Sequence, residues 1–291
     1  MAKRILLFLI TNFAIFVTLS IVLNVLGAFG FRLYGGNLSS LLVFCLVWGM
    51  GGAFISLQLS RFMAKRITGV QLVDGHTGRE ELDWLYATVQ RLTQQANLPL
   101  PEIGYYDSPE VNAFATGPSK SRSLVAVSSG LLRSMRRDEV EGVLAHEVAH
   151  IANGDMVTMT LIQGIVNAFV MFVARLVGLF IRQSSDSRSS YAMSFMVQIV
   201  LEIALGFLGM MVTSWFSRQR EFRADYGGAT LAGRERMLAA LRRLAANREL
   251  VDPNQPALAT LKISGGMSRM GMLFSTHPPL EARIAALEQM R

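Results

Sequence analysis

Four stretches of the chain are apolar for long enough to cross a bilayer, which takes about 20 mainly apolar residues in helical form. They run roughly Ile5–Phe29, Leu38–Leu59, Met156–Ile181 and Tyr191–Phe216. The first follows Met1-Ala-Lys-Arg and begins like a signal peptide. Its apolar run exceeds the usual h-region of about 7–15 residues and a second run follows closely, so it reads as a retained signal anchor.

Between and after these runs the periodicity changes. Leu82, Leu85, Val89, Leu92 and Ala96 recur at the 3.6-residue spacing of an amphipathic helix over 79–96. Strand-like stretches follow at Glu102–Tyr106, Val111–Thr116 and Leu124–Ser128, separated by Asp-Ser-Pro and Gly-Pro-Ser turns. After the fourth apolar run come helical stretches at about 220–232 and 234–249, then a Gly-rich loop over Ser264–Gly271. Pro279 opens a last helix with Leu280, Ile284 and Leu287 on one face. The expected fold is an α-helical membrane protein of four transmembrane helices carrying a cytoplasmic α+β domain. Residues 1–60 form the first membrane hairpin and 156–216 the second, while 61–155 and 217–291 build the one soluble domain between them.

Composition agrees with membrane residence. Hydrophobic residues make up 51% and charged residues 17% of the 291, against roughly 25% charged in soluble domains. The net charge of +7 does not point to nucleic acid, because many of the Lys and Arg residues flank the apolar runs, where they anchor helices at lipid headgroups. Lys3, Arg4, Arg61, Lys65, Arg66, Arg218, Arg220 and Arg223 lie on one side of the four runs, which by the positive-inside rule puts both termini and the 61–155 segment in the cytoplasm. Cys45 is the single cysteine, so no intramolecular disulfide forms. Arg175 and Glu202 fall inside the third and fourth runs at similar depth, and they are expected to pair.

The strongest chemical signal is His146-Glu147-Val148-Ala149-His150. Residues four apart share a helix face, so two imidazoles can grip one ion while the Glu beside them reaches water next to it. A pattern this short arises by chance in on the order of one chain in a hundred of this length, so its setting matters. Asp138 with Glu141 reads as a D-x-x-E capping box, Val140, Val143, Leu144, Val148 and Ile151 as the apolar face, and Asn153-Gly154 as the stop. A hydrolytic zinc site keeps three protein ligands and one open position. No third histidine follows at the metzincin spacing, so a distant carboxylate is expected. Arg220-Glu221-Phe-Arg-Ala-Asp225 offers Glu221 as that ligand, with Asp225 one turn on as the hydrogen-bond partner of a ligating histidine. E-x-x-x-D is common on surface helices; position favours this one, since it follows the fourth run as the His pair precedes the third. Zinc would polarise the scissile carbonyl and acidify water, with Glu147 as general base passing the proton to the leaving amine. His277, ahead of two prolines, is a candidate donor to the oxyanion or a structural loop histidine.

Taken in order, Asn112-Ala-Phe-Ala-Thr-Gly, His146-Glu-Val-Ala-His-Ile-Ala-Asn-Gly-Asp155, Trp215-Phe-Ser-Arg-Gln-Arg-Glu-Phe-Arg-Ala-Asp225 and Thr276-His-Pro-Pro resemble the HtpX-type heat-shock membrane proteases, bacterial relatives of the CaaX prenyl proteases. The resemblance spans nearly the whole chain. It implies a gluzincin-like core facing the cytoplasm at the bacterial inner membrane, one Zn2+ per chain, and endoproteolysis of misfolded or damaged membrane proteins. It supports Glu221 as third ligand and Asp225 as its helper. It further implies that the strand at Asn112, Ala113 and Phe114 binds substrate backbone, where periodicity alone reads an ordinary edge strand. A CaaX-type processing protease and a membrane metal transporter are the alternatives. Transport is disfavoured because every histidine lies outside the apolar runs, and intramembrane cleavage because Asp138, Glu139 and Glu141 should hold the motif helix in water.

Overall fold

The structure, a computed structural model, describes residues 38–183, 188–249 and 273–290. The apolar run at Ile5–Phe29 and the Gly-rich loop at Ser264–Gly271 lie outside the described residues. The described residues divide into two compact units, one drawing on 38–54, 161–183 and 188–210, the other on 55–160, 211–249 and 273–290.

Three helices contribute segments to the first unit and their remaining residues to the second: α1 (Leu38–Thr68), α5 (Asp155–Gln183) and α6 (Arg188–Ala232), each long and apolar enough to cross a membrane. Their apolar side chains point largely outward, as at Val43, Phe54, Phe169 and Val200. Such helices satisfy their own backbone, so they can present apolar surface to lipid. Where they touch, small residues let the backbones close up. A Cβ at Gly49 would stand 2.5 Å from the Ala168 nitrogen, and one at Gly209 2.5 Å from the Val166 side chain. Leu41, Phe44 and Cys45 of α1 pack with Met171, Phe172 and Leu179 of α5. Arg175 of α5 meets Glu202 of α6, Nη1 to Oε1 3.4 Å, and its guanidinium lies over the Phe44 ring. The expected intramembrane pair is formed.

The second unit is α+β. Its sheet has the order β1-β2-β4-β3, built from Gln71–Leu72, Glu102–Tyr106, Arg122–Ser128 and Ala113–Ser119. Strand β4 runs parallel to β2 and antiparallel to β3, with Ile103 opposite Val125 and Phe114 opposite Ala126. As the central strand it is buried on both faces. Val125 and Val127 point to a core shared with α2 (Glu80–Gln95) and α4 (Arg137–Asn153), while Leu124 and Ala126 point to Tyr106, Phe114, Ala64 and Val70. The short α3 (Ser129–Ser134) is capped by Ser128, whose Oγ accepts from the Leu131 amide. Helix α7 (Arg234–Glu249) packs on α4, and α8 (Leu280–Glu288) on α7. Leu287 is buried there with Leu280 and Ile284 against Met237, Leu238 and Leu241, as the spacing of the apolar residues requires.

Several expectations need correcting. The motif helix begins at Arg137, and the carboxylate that caps it is Glu139, whose Oε2 accepts from the Arg136 amide at 2.8 Å; Asp138 instead pairs with the Arg136 guanidinium. Glu139 and Glu141 do not hold α4 in water. Both are buried, Glu141 between Arg91 and Arg236 at 2.8 and 3.2 Å, so α4 is a central helix whose acids are neutralised by neighbours. Gly117-Pro118 is not a turn between strands. It lies within β3 as a register shift between Thr116 and Ser119, with Gly117 at φ +144°, and the hairpin turns at Lys120-Ser121. Helix α6 runs unbroken to Ala232, where the expected fourth apolar run and the 220–232 stretch were separate elements. Strand β1 had no signal, since two residues carry no period.

Candidate metal centre

Helix α4 places His146 and His150 one turn apart, and α6 brings Glu221 against them within the same unit. The two helices approach closely because Gly227 and Gly228 face α4. A Cβ on Gly227 would sit 2.8 Å from the Ala149 Cβ, and one on Gly228 3.1 Å from the His146 amide nitrogen. The His146 and His150 Nε2 atoms are 3.0 Å apart, and the Glu221 oxygens lie 3.5 and 3.4 Å from them respectively.

Each imidazole is turned by a carboxylate at its other nitrogen. His146 Nδ1 donates to Asp225 Oδ1 at 2.9 Å, and His150 Nδ1 to Asp155 Oδ2 at 2.7 Å. A carboxylate only accepts, so each Nδ1 carries a proton, and each Nε2 turns toward Glu221, where its lone pair can bind an ion once any proton there is displaced. Tetrahedral zinc with bonds near 2.0–2.2 Å separates its ligand atoms by about 3.3 Å, close to the three distances seen here. Both Glu221 oxygens are buried without a hydrogen bond of good geometry, although His146, His150, His277 and Arg283 crowd them. A buried carboxylate left so is costly, and a cation among these three donors removes the cost. The residues therefore fit a divalent metal of zinc's size and ligand preference.

The electrostatics agree. Burial alone would raise the Glu221 carboxyl, but the surrounding histidines outweigh it and hold the group far below the usual carboxylate range. At Asp225 burial again raises, and Arg283 with His146 lowers it further than burial lifts it. Burial pushes His150 down, yet Asp155 and Glu221 hold it up at about 9, and His146 is raised in the same way by Asp225 and Glu221. Ring nitrogens this basic are good ligands once the proton is displaced.

Glu147 is half-buried beside the pair. His277 is exposed on the loop before α8, with Nδ1 2.9 Å from Glu221 Oε2. That loop is fastened to α6 by Arg218, which donates to the Leu273 and Ser275 carbonyls, and by Ser214, which donates to the Phe274 carbonyl. Asn112 ends the loop into β3, its side-chain amide donating to the Tyr106 hydroxyl at 3.0 Å, while Ala113 and Phe114 begin that edge strand. Strand β3 packs against α4. All the expected site residues thus lie in the one unit. Two were missed. Asp155 follows the helix stop at Gly154, a left-handed turn at φ +67° that swings it back to His150. Arg283 is buried against Asp225 and Glu221. Its signal was its place at i+3 between Leu280 and Ile284, a charge on the apolar stripe of α8.

A HExxH helix, a carboxylate from a following helix and an edge strand beside them define a metallopeptidase, here on a chain with apolar helices long enough to cross a membrane. Residues 80–291 match the family model of Peptidase family M48, and the chain belongs to that family. The Protease HtpX of Idiomarina loihiensis is 50% identical over 291 residues, covering 99% of this chain and all of the relative (100%). The Protease HtpX of Aeromonas salmonicida is 52% identical over 295 residues, covering 98% and 99%. Among solved structures, the crystal structure of S. mikatae Ste24p shares the fold at a TM-score of 0.60 and 19% identity, covering 94% of this chain and 67% of that one. The protein is a membrane-bound metalloprotease, a hydrolase of peptide bonds. Neither transport nor CaaX-type processing is favoured.

Proposed function

We propose that the protein is a zinc endopeptidase of the bacterial inner membrane, with four spans, both termini and the catalytic domain cytoplasmic, and that it degrades misfolded or damaged membrane proteins. In this reading residues 61–155 and 217–291 form the one catalytic domain between two membrane hairpins. The observation that carries it is the donor set of His146, His150 and Glu221, spaced as tetrahedral zinc requires, with each imidazole turned by its own carboxylate.

His146, His150 and Glu221 would hold the ion, which when bound would polarise the scissile carbonyl and make water acidic enough to react at neutral pH. Glu147 accepts the proton of the attacking water and returns it to the leaving nitrogen. Asp225 fixes the His146 ring. His277, exposed at the site and beside Glu221, donates to the carbonyl oxygen as charge develops there. The segment Asn112, Ala113 and Phe114 binds an extended substrate as an added strand, with Ala113 offering its backbone groups at the free edge, because β3 is an edge of the sheet and packs beside α4.

The deciding experiment compares wild type with Glu147→Gln in detergent on an unfolded membrane protein. The variant should keep one zinc per chain and lose cleavage by several orders of magnitude; proteolysis at the wild-type rate would overturn the assignment. Reporter fusions at Gly35 and Ser187 should read as non-cytoplasmic, and a cytoplasmic reading at either overturns the topology.

A further inference from the structure

Arg283 stands among the buried charges of the centre, yet it is not one of the three donors that could hold the ion. Its side chain is 8% exposed. The guanidinium spans both Asp225 oxygens, Nε to Oδ2 at 2.7 Å and Nη2 to Oδ1, so the fork fixes the carboxylate plane. That plane decides where Oδ1 receives the His146 Nδ1 proton, 2.9 Å away. The same guanidinium reaches Glu221, Nη1 to Oε2 3.4 Å. Three carboxylates are nearly sealed from solvent around the donor set, Asp155, Glu221 and Asp225. A divalent ion and two neutral imidazoles leave one of those charges unmatched, and Arg283 matches it as the most buried guanidinium beside them among the described residues. The nearby Arg223 is mostly exposed, and Arg220 approaches Glu221 only to 3.7 Å.

Arg283 is also distant in sequence, 137 residues from His146, and rides on the last helix. Apolar contacts to Met237, Leu238 and Leu241 hold that helix on α7, and an exposed pair, Arg242 with Glu288 at 2.7 Å, joins the same two helices away from the site.

We propose that Arg283 is a positioning residue of the metal centre: by clamping Asp225 it aims the His146 ring, so the docked C-terminal helix completes the site. This rests on the ligand assignment above. The two parallel hydrogen bonds from the fork specify geometry as well as charge, so lysine cannot replace it in full.

The test uses the full chain in detergent, with zinc affinity read by chelator competition and folding by circular dichroism. Arg283→Met should weaken zinc binding by about 10- to 100-fold, the range for losing an outer partner of a ligating histidine. Arg283→Lys should fall between. Asp225→Asn should weaken binding to a similar degree, and the double variant Arg283→Met/Asp225→Asn no further than the worse single one, because both changes break the same link. Arg242→Met loosens the α7–α8 pair outside the site and should leave affinity unchanged. Wild-type affinity in a folded Arg283→Met protein, or losses that multiply in the double variant, overturns the proposal. Should the Met variant not fold, wild-type affinity in Arg283→Lys overturns it. Failure of the ligand assignment itself would show separately, as zinc affinity insensitive to His146→Ala.

Discussion

His150 and Asp155 lie on successive helices and are joined across the turn between them, Nδ1 to Oδ2 at 2.7 Å. Gly154 makes the turn at φ +67°, so the chain leaves α4 and re-enters α5 with Asp155 as its first residue, facing back to the histidine. The aspartate is 1% exposed, so the bond is shielded from water and screened little by salt.

Asp155→Ala should therefore weaken zinc binding by about 10- to 100-fold while leaving the protein folded, as expected for an outer carboxylate on the imidazole proposed as a ligand. Chelator competition measures it. Gly154→Ala tests the turn that delivers Asp155. Among the described residues nothing beyond its chain neighbours lies within 4 Å of a Cβ there, so the cost is backbone strain, about 1–2 kcal/mol for a non-glycine residue in the left-handed region. A Gly154→Ala protein as stable as wild type would contradict this account of the turn.

Gly228 sets the distance between α4 and α6, the two helices that carry the proposed ligands. A Cβ there would meet Met237 Sδ at 3.0 Å and the His146 amide nitrogen at 3.1 Å, and the backbone cannot yield as a side-chain end can. Gly228→Val should push α6 away from α4, costing about 1–3 kcal/mol as overpacking does. Glu221 and Asp225 lie on the same helix, so zinc affinity should fall with stability. Thermal unfolding with and without excess zinc separates the two losses. An unchanged affinity would mean that the helices are held at their spacing by something else.

Much of this centre is legible in the chain because its main parts are local. His146 and His150 share a helix face by spacing alone, and the α2 periodicity from Leu82 to Leu92 marks the helix that covers the sheet. Glu221 and Asp225 are one turn apart for the same reason. What escaped depends on contacts between distant segments. Glu139 and Glu141 look like solvent-facing charges until Arg91, Arg236 and Arg243 arrive from α2 and α7 to cover them. Arg283 sits on an apolar stripe, but nothing in its own helix says that Asp225 is opposite. Asp155 needed the left-handed turn at Gly154, and a stop signal tells where a helix ends, not where the next residue points.

Arg175 and Glu202 make a separable prediction about the apolar helices. Both side chains are largely covered, and the pair joins α5 to α6 while the Phe44 ring of α1 stacks on the guanidinium. Removing one partner leaves a buried charge alone, a loss of about 3–5 kcal/mol in protein interiors. Arg175→Met or Glu202→Met alone should lower thermal stability in detergent, and the double variant should recover most of it. A double variant as unstable as the worse single one would remove pairing as the explanation.

The edge strand offers the sharpest test of substrate binding. Ser128 donates its amide to the Asn112 carbonyl, and the register then makes Asn112 and Phe114 the bonded positions against β4. In an antiparallel ladder the intervening residues turn their N–H and C=O away, so Ala113 and Ala115 present theirs at the free edge. Proline at such a position removes a donor without breaking the sheet. Ala115→Pro should fold and keep its zinc, yet raise KM for an unfolded polypeptide by about tenfold, the worth of one backbone hydrogen bond near 1–1.5 kcal/mol. The effect on kcat should be smaller, because in the proposed binding mode the lost bond would hold the substrate rather than the reacting carbonyl. Val125→Pro, in the buried central strand, should instead abolish folding. If Ala115→Pro left KM unchanged while retaining its zinc, substrate would have to bind elsewhere than along β3.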